Sequence, residues 1–433
     1  MNWRHRSRQL QNFITSNPLA NKLIRLLREF RKRKSVISKI GGISRKSWNV
    51  KKAFRASIII LVIGVISLPF LKYLSLGVTP SHLAWDYLTP ELVGKRTNIM
   101  LIVYRNGDRY SFIDALGLLS INANNNNYSV MMLNPAFSTK AITNNYISIT
   151  NLLSNAVLEE QSPIGVTTSL LSGTFGLPVD RYVAIDLAHV PRLIEILGTD
   201  YRIPNSLEVA NTTYLEGEML YSSDVLEYLD ADAVSSNEKM QRWADFVKSF
   251  FKQQSSWVNI GKILANIDEV LSIVETDLSK AELLSLIGSV VNMRQLTVNY
   301  TNTLDTFSIG GTKPVNVVNV TSLDSQIQAL FVDPDVAKEQ ARIEVYNATP
   351  VSGLASKFRR YIKNYGGNVI RAGNFPDALE QTILYVPKPD PYLKNIELLK
   401  TLTRGKVQVV TDEYPYNHTA ELVLVIGSDV SLL

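Results

Sequence analysis

Few residues in this chain are placed to do chemistry. There is no cysteine, which rules out thiolate-bound zinc, iron–sulfur clusters and a thiol nucleophile. The histidines, His5, His82, His189 and His418, each stand alone, so a His-rich metal site is not expected, and nothing supports a Ser-His-Asp site. Asp230 and Asp232, two positions apart, are an acid pair that can hold a cation, although solvated acids are the simpler reading. The polar turn Arg105-Asn-Gly-Asp-Arg109 gathers two guanidinium groups and one acid between apolar segments. Ser352-Gly353-Leu354 stands at a helix start, where main-chain N–H groups can face an anion. A plain N-terminal turn explains it as well.

Charge divides the chain more sharply than any motif does. Residues 1–55 hold sixteen Lys and Arg and one acid, Glu29, while residues 56–433 carry a net −9. The division falls at the hydrophobic run Ala56–Leu71, which Lys72 and Tyr73-Leu-Ser-Leu76 extend. A span needs ~20 apolar residues, and Lys72 lengthens the run by snorkelling. Residues 56–76 are therefore expected to form a transmembrane helix. Lys51, Lys52 and Arg55 abut its N-terminal side, and the positive-inside rule puts the 1–55 tail in the cytoplasm. Within the tail, Asn17-Pro18 caps an expected amphipathic helix over 18–34, suited to an anionic leaflet. No helix-turn-helix pattern accompanies the charge, which argues against nucleic acid as a partner.

The remainder reads as α/β. Thr97–Tyr104 is an apolar strand. Ala115–Ile121 and Tyr128–Leu133 form a hairpin across an Asn-rich turn. A helix over 163–175, a strand at Tyr182–Ile185 and a helix over Leu187–Leu197 closed by Gly198 follow. From Met219 the pattern turns helical to about Met293. Residues 301–340, rich in Thr, Asn, Ser and Asp with Gly310-Gly311, Pro314 and Pro334, read as a linker, with Val315–Val320 as a candidate strand. A second α/β domain covers 341–430. Its helix over Gly353–Tyr365 is stopped by Gly366-Gly367.

The two domains at 95–300 and 341–430 together resemble the LytR-CpsA-Psr family with its appended LytR C-terminal domain. Arg342-Ile-Glu-Val-Tyr-Asn-Ala-Thr-Pro-Val-Ser-Gly-Leu-Ala355 is similar to the appended domain's first strand and helix start, with Ala348 in place of the usual Gly. Val423-Leu-Val-Ile-Gly-Ser-Asp429 resembles its closing strand. In the preceding domain, Asn98–Ile102, Asp114 through Asn122, Asp180–Asp186 with Leu193–Gly198, Leu215–Glu218, and Thr276–Ser279 with Glu282-Leu283 follow the family pattern in order. The resemblance implies a membrane-anchored, extracytoplasmic protein of the bacterial cell envelope. It also implies an apolar cavity for a polyprenyl-phosphate lipid, arginines around a pyrophosphate, and Mg2+ on Asp side chains. Those cations would stabilise charge developing in phosphoryl transfer.

Residue by residue, the resemblance is incomplete. Of the Arg-Ser-Asp motif only Asp114 remains, in Phe112-Ile113-Asp114, and it is the implied catalytic and metal-binding acid. Pro135-Ala136-Phe137 stands where the family has Pro-Arg-Asp. Tyr228-Leu229-Asp230-Ala231-Asp232 stands where it has Tyr-Ala-Arg-x-Arg. Arg242 matches the first residue of the late Arg-Gln-Gln motif and is the second implied catalytic residue. Arg105 and Arg109 are candidate pyrophosphate contacts. Three lost arginines, at roughly 3 kcal/mol per removed donor, would abolish useful turnover. The departures thus favour a non-catalytic binding or scaffold member holding lipid carrier, cell-wall glycan or protein partners. An active polyprenyl-pyrophosphate-dependent glycopolymer phosphotransferase with a rearranged site is the alternative. A membrane-tethered regulator acting through the basic tail is the second.

Overall fold

Thr97–Asn106 (β1) is apolar on both faces and therefore belongs in the middle of a sheet. It does so here. The computed structural model describes residues 96–430, apart from 108–110, 123–125, 141–145, 157–162, 232–235, 302–305, 310–314 and scattered positions between 205 and 292. The basic tail, the amphipathic segment at 18–34 and the expected span at 56–76 lie outside the described residues. Among the described residues no helix is long and apolar enough to cross a membrane.

β1 pairs with Ser111–Asn122 (β2) in antiparallel register, and β2 pairs with Asn127–Leu133 (β3) across the Asn-rich turn. Asn126 closes that turn at φ 55, a left-handed conformation that Asn tolerates. Arg181–Asp186 (β4) runs parallel to the other edge of β1. Val274–Thr276 (β5) and Gln295–Tyr300 (β6) complete a six-stranded mixed sheet in the order β5-β4-β1-β2-β3-β6. A separate four-stranded sheet joins Thr306–Ile309, Val315–Val318, Ser138–Lys140 and Tyr146–Ser148.

Alternation along the strands sends side chains to two cores. Ile99, Ala115, Leu119 and Ile121 pack under one layer of helices, with Leu101 and Val103 against them. Met100, Ile102, Leu116 and Leu118 face the other layer. The first layer contains Val190–Leu197 (α2), Ser222–Asp230 (α3), Ser236–Gln254 (α4), Trp257–Ala265 (α5) and Ile267–Ile273 (α6). Gly198 ends α2 in the left-handed conformation, φ 57, as expected of a C-terminal glycine. The second layer contains Pro163–Phe175 (α1) and Val320–Phe331 (α7).

Two stretches fold differently from their sequence pattern. Met219–Leu220 is a short strand paired with Tyr201–Arg202, and helix starts only at Ser222. Residues 320–339, expected within a linker, form α7 and Pro334–Glu339 (α8). Asn319 caps α7 and Asp333 caps α8, so Asn and Asp that read as linker composition are helix starts. Leu323, Ile327 and Phe331, each 0% exposed, recur four residues apart and hold α7 in the core.

The C-terminal domain is a five-stranded sheet of Arg342–Asn347 (β7), Asn368–Asn374 (β8), Ile383–Tyr385 (β9), Gln408–Val410 (β10) and Leu422–Ile426 (β11), in the order β8-β7-β11-β9-β10. Leu354–Asn364 (α9) and Leu393–Leu402 (α10) pack on it. Its core is continuous with the preceding domain: Leu171, Phe175, Phe331, Phe358 and Ile362 belong to one buried cluster. Polar contacts fix the joint. Arg360 donates to the carbonyls of Gly173 and Thr174 and to Asp324, and Asn364 donates to the carbonyl of Gly176 at 2.9 Å. These acceptors are orphan carbonyls at the C-terminal end of α1, where cations are favoured.

Candidate functional site

Between the sheet and α2 and α4–α6 lies a cavity of about 290 Å³. Its walls are almost wholly apolar: Leu101 and Val103 of β1, Ala115 and Leu119 of β2, Trp243, Phe246 and Phe250 of α4, and residues of α5 and α6. Trp243, Gln254, Tyr128 and Thr276 add side chains with polar atoms to this lining. Among the described residues, Trp243 Nε1–H and Gln254 Oε1 in it are buried without a hydrogen-bond partner.

Four charged side chains stand just past one end of this lining. Arg105 follows Val103 by two positions on β1 and shares its face. The β1–β2 register shifts between Val103 and Tyr104, so Val103 faces Ala115 while Tyr104 faces Ile113. Asp114 is the extra residue of that bulge, which re-aims it beside Arg105. Lys239 lies one helical turn before Trp243 on α4. Asp230 ends α3. Arg105 Nε reaches Asp114 Oδ2 at 3.0 Å and its Nη2 bonds Asp230. Lys239 Nζ reaches Asp114 Oδ1 at 3.2 Å and Asp230 Oδ1 at 3.6 Å. Two cations and two acids thus alternate in a closed ring. Partial burial lowers the Arg105 pKa, but the hydrogen bonds to Asp114 and Asp230 outweigh it and the net shift is upward.

This ring fits a divalent cation poorly. Both oxygens of Asp114 already meet a cation, and a metal there would face Arg105 and Lys239 directly. Among the described residues no group of three metal-ligating side chains converges.

Arg242 is not in the ring. It is 2% exposed and donates to the carbonyls of Tyr228 and, at 2.6 Å, Ala231, with its guanidinium carbon 5.5 Å from the Tyr228 ring centroid. These are end-of-helix carbonyls of α3, so Arg242 positions the segment that carries Asp230. Arg109 and Asp232 lie outside the described residues. At Ser352-Gly353-Leu354, Gly353 has φ 80 and starts α9 with no side-chain cap. Sequence reasoning brought Arg105 and Asp114 forward but missed Lys239. The signal available for it was its spacing, three residues before Arg242 and four before Trp243.

An α/β domain with an apolar cavity under its sheet, joined to a second small α/β domain, is thus the class that fold and site define. Residues 340–429 match the family described as LytR cell envelope-related transcriptional attenuator. The chain carries a LytR C-terminal domain, as the Arg342–Ala355 and Val423–Asp429 motifs imply. No curated protein matches the sequence. Among solved structures the chain is similar to B. subtilis TagV, at 16% identity and a TM-score of 0.46 over 54% of this chain and 94% of that one. A transcriptional regulator from Enterococcus faecalis gives 16% identity and a TM-score of 0.44 over 64% and 90%. TagT bound to LIIa-WTA gives 11% and 0.44 over 54% and 88%.

Proposed function

We propose that this is a cell-envelope protein that binds the lipid portion of a polyprenyl-linked glycan carrier and does not transfer the glycan. The carrying observation is the apolar cavity ending at a charge ring that neutralises itself. An isoprenoid chain is matched by walls with almost no polar atoms, and the unpartnered Trp243 Nε1–H is a donor for one oxygen of a headgroup. Phosphoryl transfer needs cations aimed at developing negative charge. Here Asp114 and Asp230 already occupy Arg105 and Lys239. The motifs shared with the LytR-CpsA-Psr pattern support the reading, since Asn98–Ile102 falls on β1, Asp180–Asp186 on β4 and Leu193–Gly198 on α2 and its cap.

The proposed setting is the outer face of a bacterial membrane, with residues 56–76 as anchor and the tail inside; the charge division at Arg55 supports it. Protease treatment of intact spheroplasts should remove residues after 76 and spare the tail; protection of the C-terminal domain would reverse the topology.

The binding reading is tested with the full chain in detergent, a polyprenyl-pyrophosphate oligosaccharide and Mg2+. Saturable binding without product is expected, and Val247→Trp, which fills the cavity, should abolish the binding. Turnover that Arg105→Ala or Asp114→Ala removes would establish a transferase instead.

A further inference from the structure

The C-terminal sheet has two faces, and helices cover one of them. Ile343 and Val345 of β7 and Leu422 and Leu424 of β11 belong to the core under α9 and α10. The alternate residues of these strands point to the other side. There Tyr346, Val423 and Val425 form a separate small core with Ala348, Tyr414 and Ala420. The cover on this side is the coil 411–420, which contains neither helix nor strand.

That coil gathers aromatic rings. Tyr414, 6% exposed, is the hub. Its ring lies nearly parallel to that of Tyr346, with centroids 5.9 Å apart, and edge-on to Tyr385 and His418 at 5.2 and 5.5 Å. Tyr416 tilts against Tyr414 at 5.5 Å, and Phe375, just after β8, meets Tyr416 edge to face at 5.5 Å. The coil is fastened from below. Glu344, 2% exposed, accepts from the Tyr346 hydroxyl at 2.6 Å and from the Thr419 N–H at 3.2 Å. Pro415 restricts the main chain between the two tyrosines. The rings are therefore held in place before any ligand arrives. Packing accounts for Tyr414 but not for its neighbours: Tyr416 is 44% exposed, and Phe375, Tyr385 and His418 are half-buried.

Charge decides what such a cluster fits. Segments 374–380 and 411–420, which carry Phe375, Tyr414 and Tyr416, hold four exposed acids, Asp377, Glu380, Asp412 and Glu413, and no Lys or Arg. Arg371 is a neighbouring cation, and its guanidinium lies over the Tyr346 ring, 5.8 Å from the centroid. Four carboxylates repel an anionic polymer or an anionic membrane. A protein partner calls for a broad apolar patch, whereas Tyr416 alone represents these two segments among the exposed large hydrophobics. A hexopyranose offers a face of C–H groups and a rim of hydroxyls. The C–H face is drawn to the negative face of an aromatic ring, and carboxylates accept from the hydroxyls. We propose that this face of the C-terminal domain binds a neutral glycan of hexopyranose units, with Tyr416 and Phe375 as the stacking platform and the surrounding carboxylates as acceptors. No residue lining the apolar cavity belongs to this domain, so the two sites stand or fall separately.

The test is titration calorimetry of the full chain, in a detergent without a sugar headgroup, with the N-acetylglucosamine hexamer and cellohexaose as probes. Saturable binding of at least one is expected, the same within about twofold at low and high salt because neither sugar is charged. Tyr416→Ala should weaken it about tenfold, as loss of a stacked ring does, and Tyr416→Trp should stay within about threefold of wild type. If Tyr416→Ala lowers the unfolding temperature, Phe375→Ala replaces it, with the same loss expected. Tyr221→Ala removes another exposed tyrosine, in the preceding domain, and should leave binding intact. No saturable binding of either sugar, insensitivity to both platform variants, loss with Tyr221→Ala, or equal competition by poly(glycerol phosphate) would each overturn the assignment. So would binding of a basic peptide at this face in place of the sugars, which would make it a protein interface.

Discussion

The two ends of β1 carry similar ingredients in opposite arrangements. At the Arg105 end, two cations and two acids face one another and cancel. At the Ile99 end, acids and cations line a cleft together, and the acids Asp180 and Asp277 accept from main-chain N–H groups. The type and number of charged residues therefore do not decide whether a place recruits an anion. What decides is how each cation is partnered. In the ring, that choice is made by Asp230, which stands where the family resemblance expects arginine.

Arg242 is the largest lever on this comparison, because it fixes the end of α3 that presents Asp230. Arg242→Ala would take the donor from the buried Tyr228 carbonyl and the partly buried Ala231 carbonyl. At about 1.5–3 kcal/mol for each of these two hydrogen bonds to a charged group, a loss of about 3–6 kcal/mol is expected. The check is the urea midpoint of the full chain. A change under 1 kcal/mol would mean that Arg242 is dispensable to the fold and better explained as a ligand contact.

Next is the domain joint that forms the cleft. Arg360→Ala removes two contacts to α1 carbonyls and the pair with Asp324, whose side chain is 18% exposed. The expected cost is about 2–3 kcal/mol. The urea midpoint of the full chain checks it, and a change under 1 kcal/mol would show the joint to be independent of Arg360.

Asp180 gives a third handle, with a definite sign. Burial pushes its carboxyl from the ordinary 3.8 to about 6, against the Asn98 hydrogen bond and the charges of Arg404 and Arg181. The folded chain therefore holds this proton more tightly than the unfolded chain does. Ionising Asp180 destabilises the fold progressively between pH 4 and 6 and fully above that. Asp180→Asn should match wild type near pH 4 and exceed it by about 2–3 kcal/mol at pH 7, at 1.36 kcal/mol per pKa unit. A gap independent of pH would remove the titration argument.

How far these features were legible in the sequence follows from their range. Elements with strong local signals were readable: the helix 163–175 and the Gly198 stop. Asn319 and Pro334 misled because the same residues start helices and break them; the Leu323-Ile327-Phe331 spacing was the better guide. Arg105 and Asp114 were identifiable from motif position. Their neutralisation was not, since it needs a bulge in β2 and Lys239 from 125 residues away. The cleft was invisible for the same reason. Lys357, Arg404 and Asp180 become neighbours only when the two domains share a core.

The smallest stability effect bears most directly on function. Asp230→Asn removes one acid from the ring and leaves Arg105 and Lys239 to share Asp114. The stability cost should be within about 1 kcal/mol, because Arg105 is 48% and Asp230 35% exposed and partly exposed pairs contribute little. Binding should respond far more. A unit charge near 4 Å is worth up to about 4 kcal/mol at a surface site before salt screening. Removing that repulsion should improve pyrophosphate binding by on the order of tenfold at low salt, and the gain should shrink as salt rises. If affinity rises without turnover, Asp230 limits headgroup binding while chemistry lacks other groups. If turnover appears, one acid separates this site from a transferase. If neither changes, the ring does not face the ligand at all, and the apolar cavity must be entered from another side.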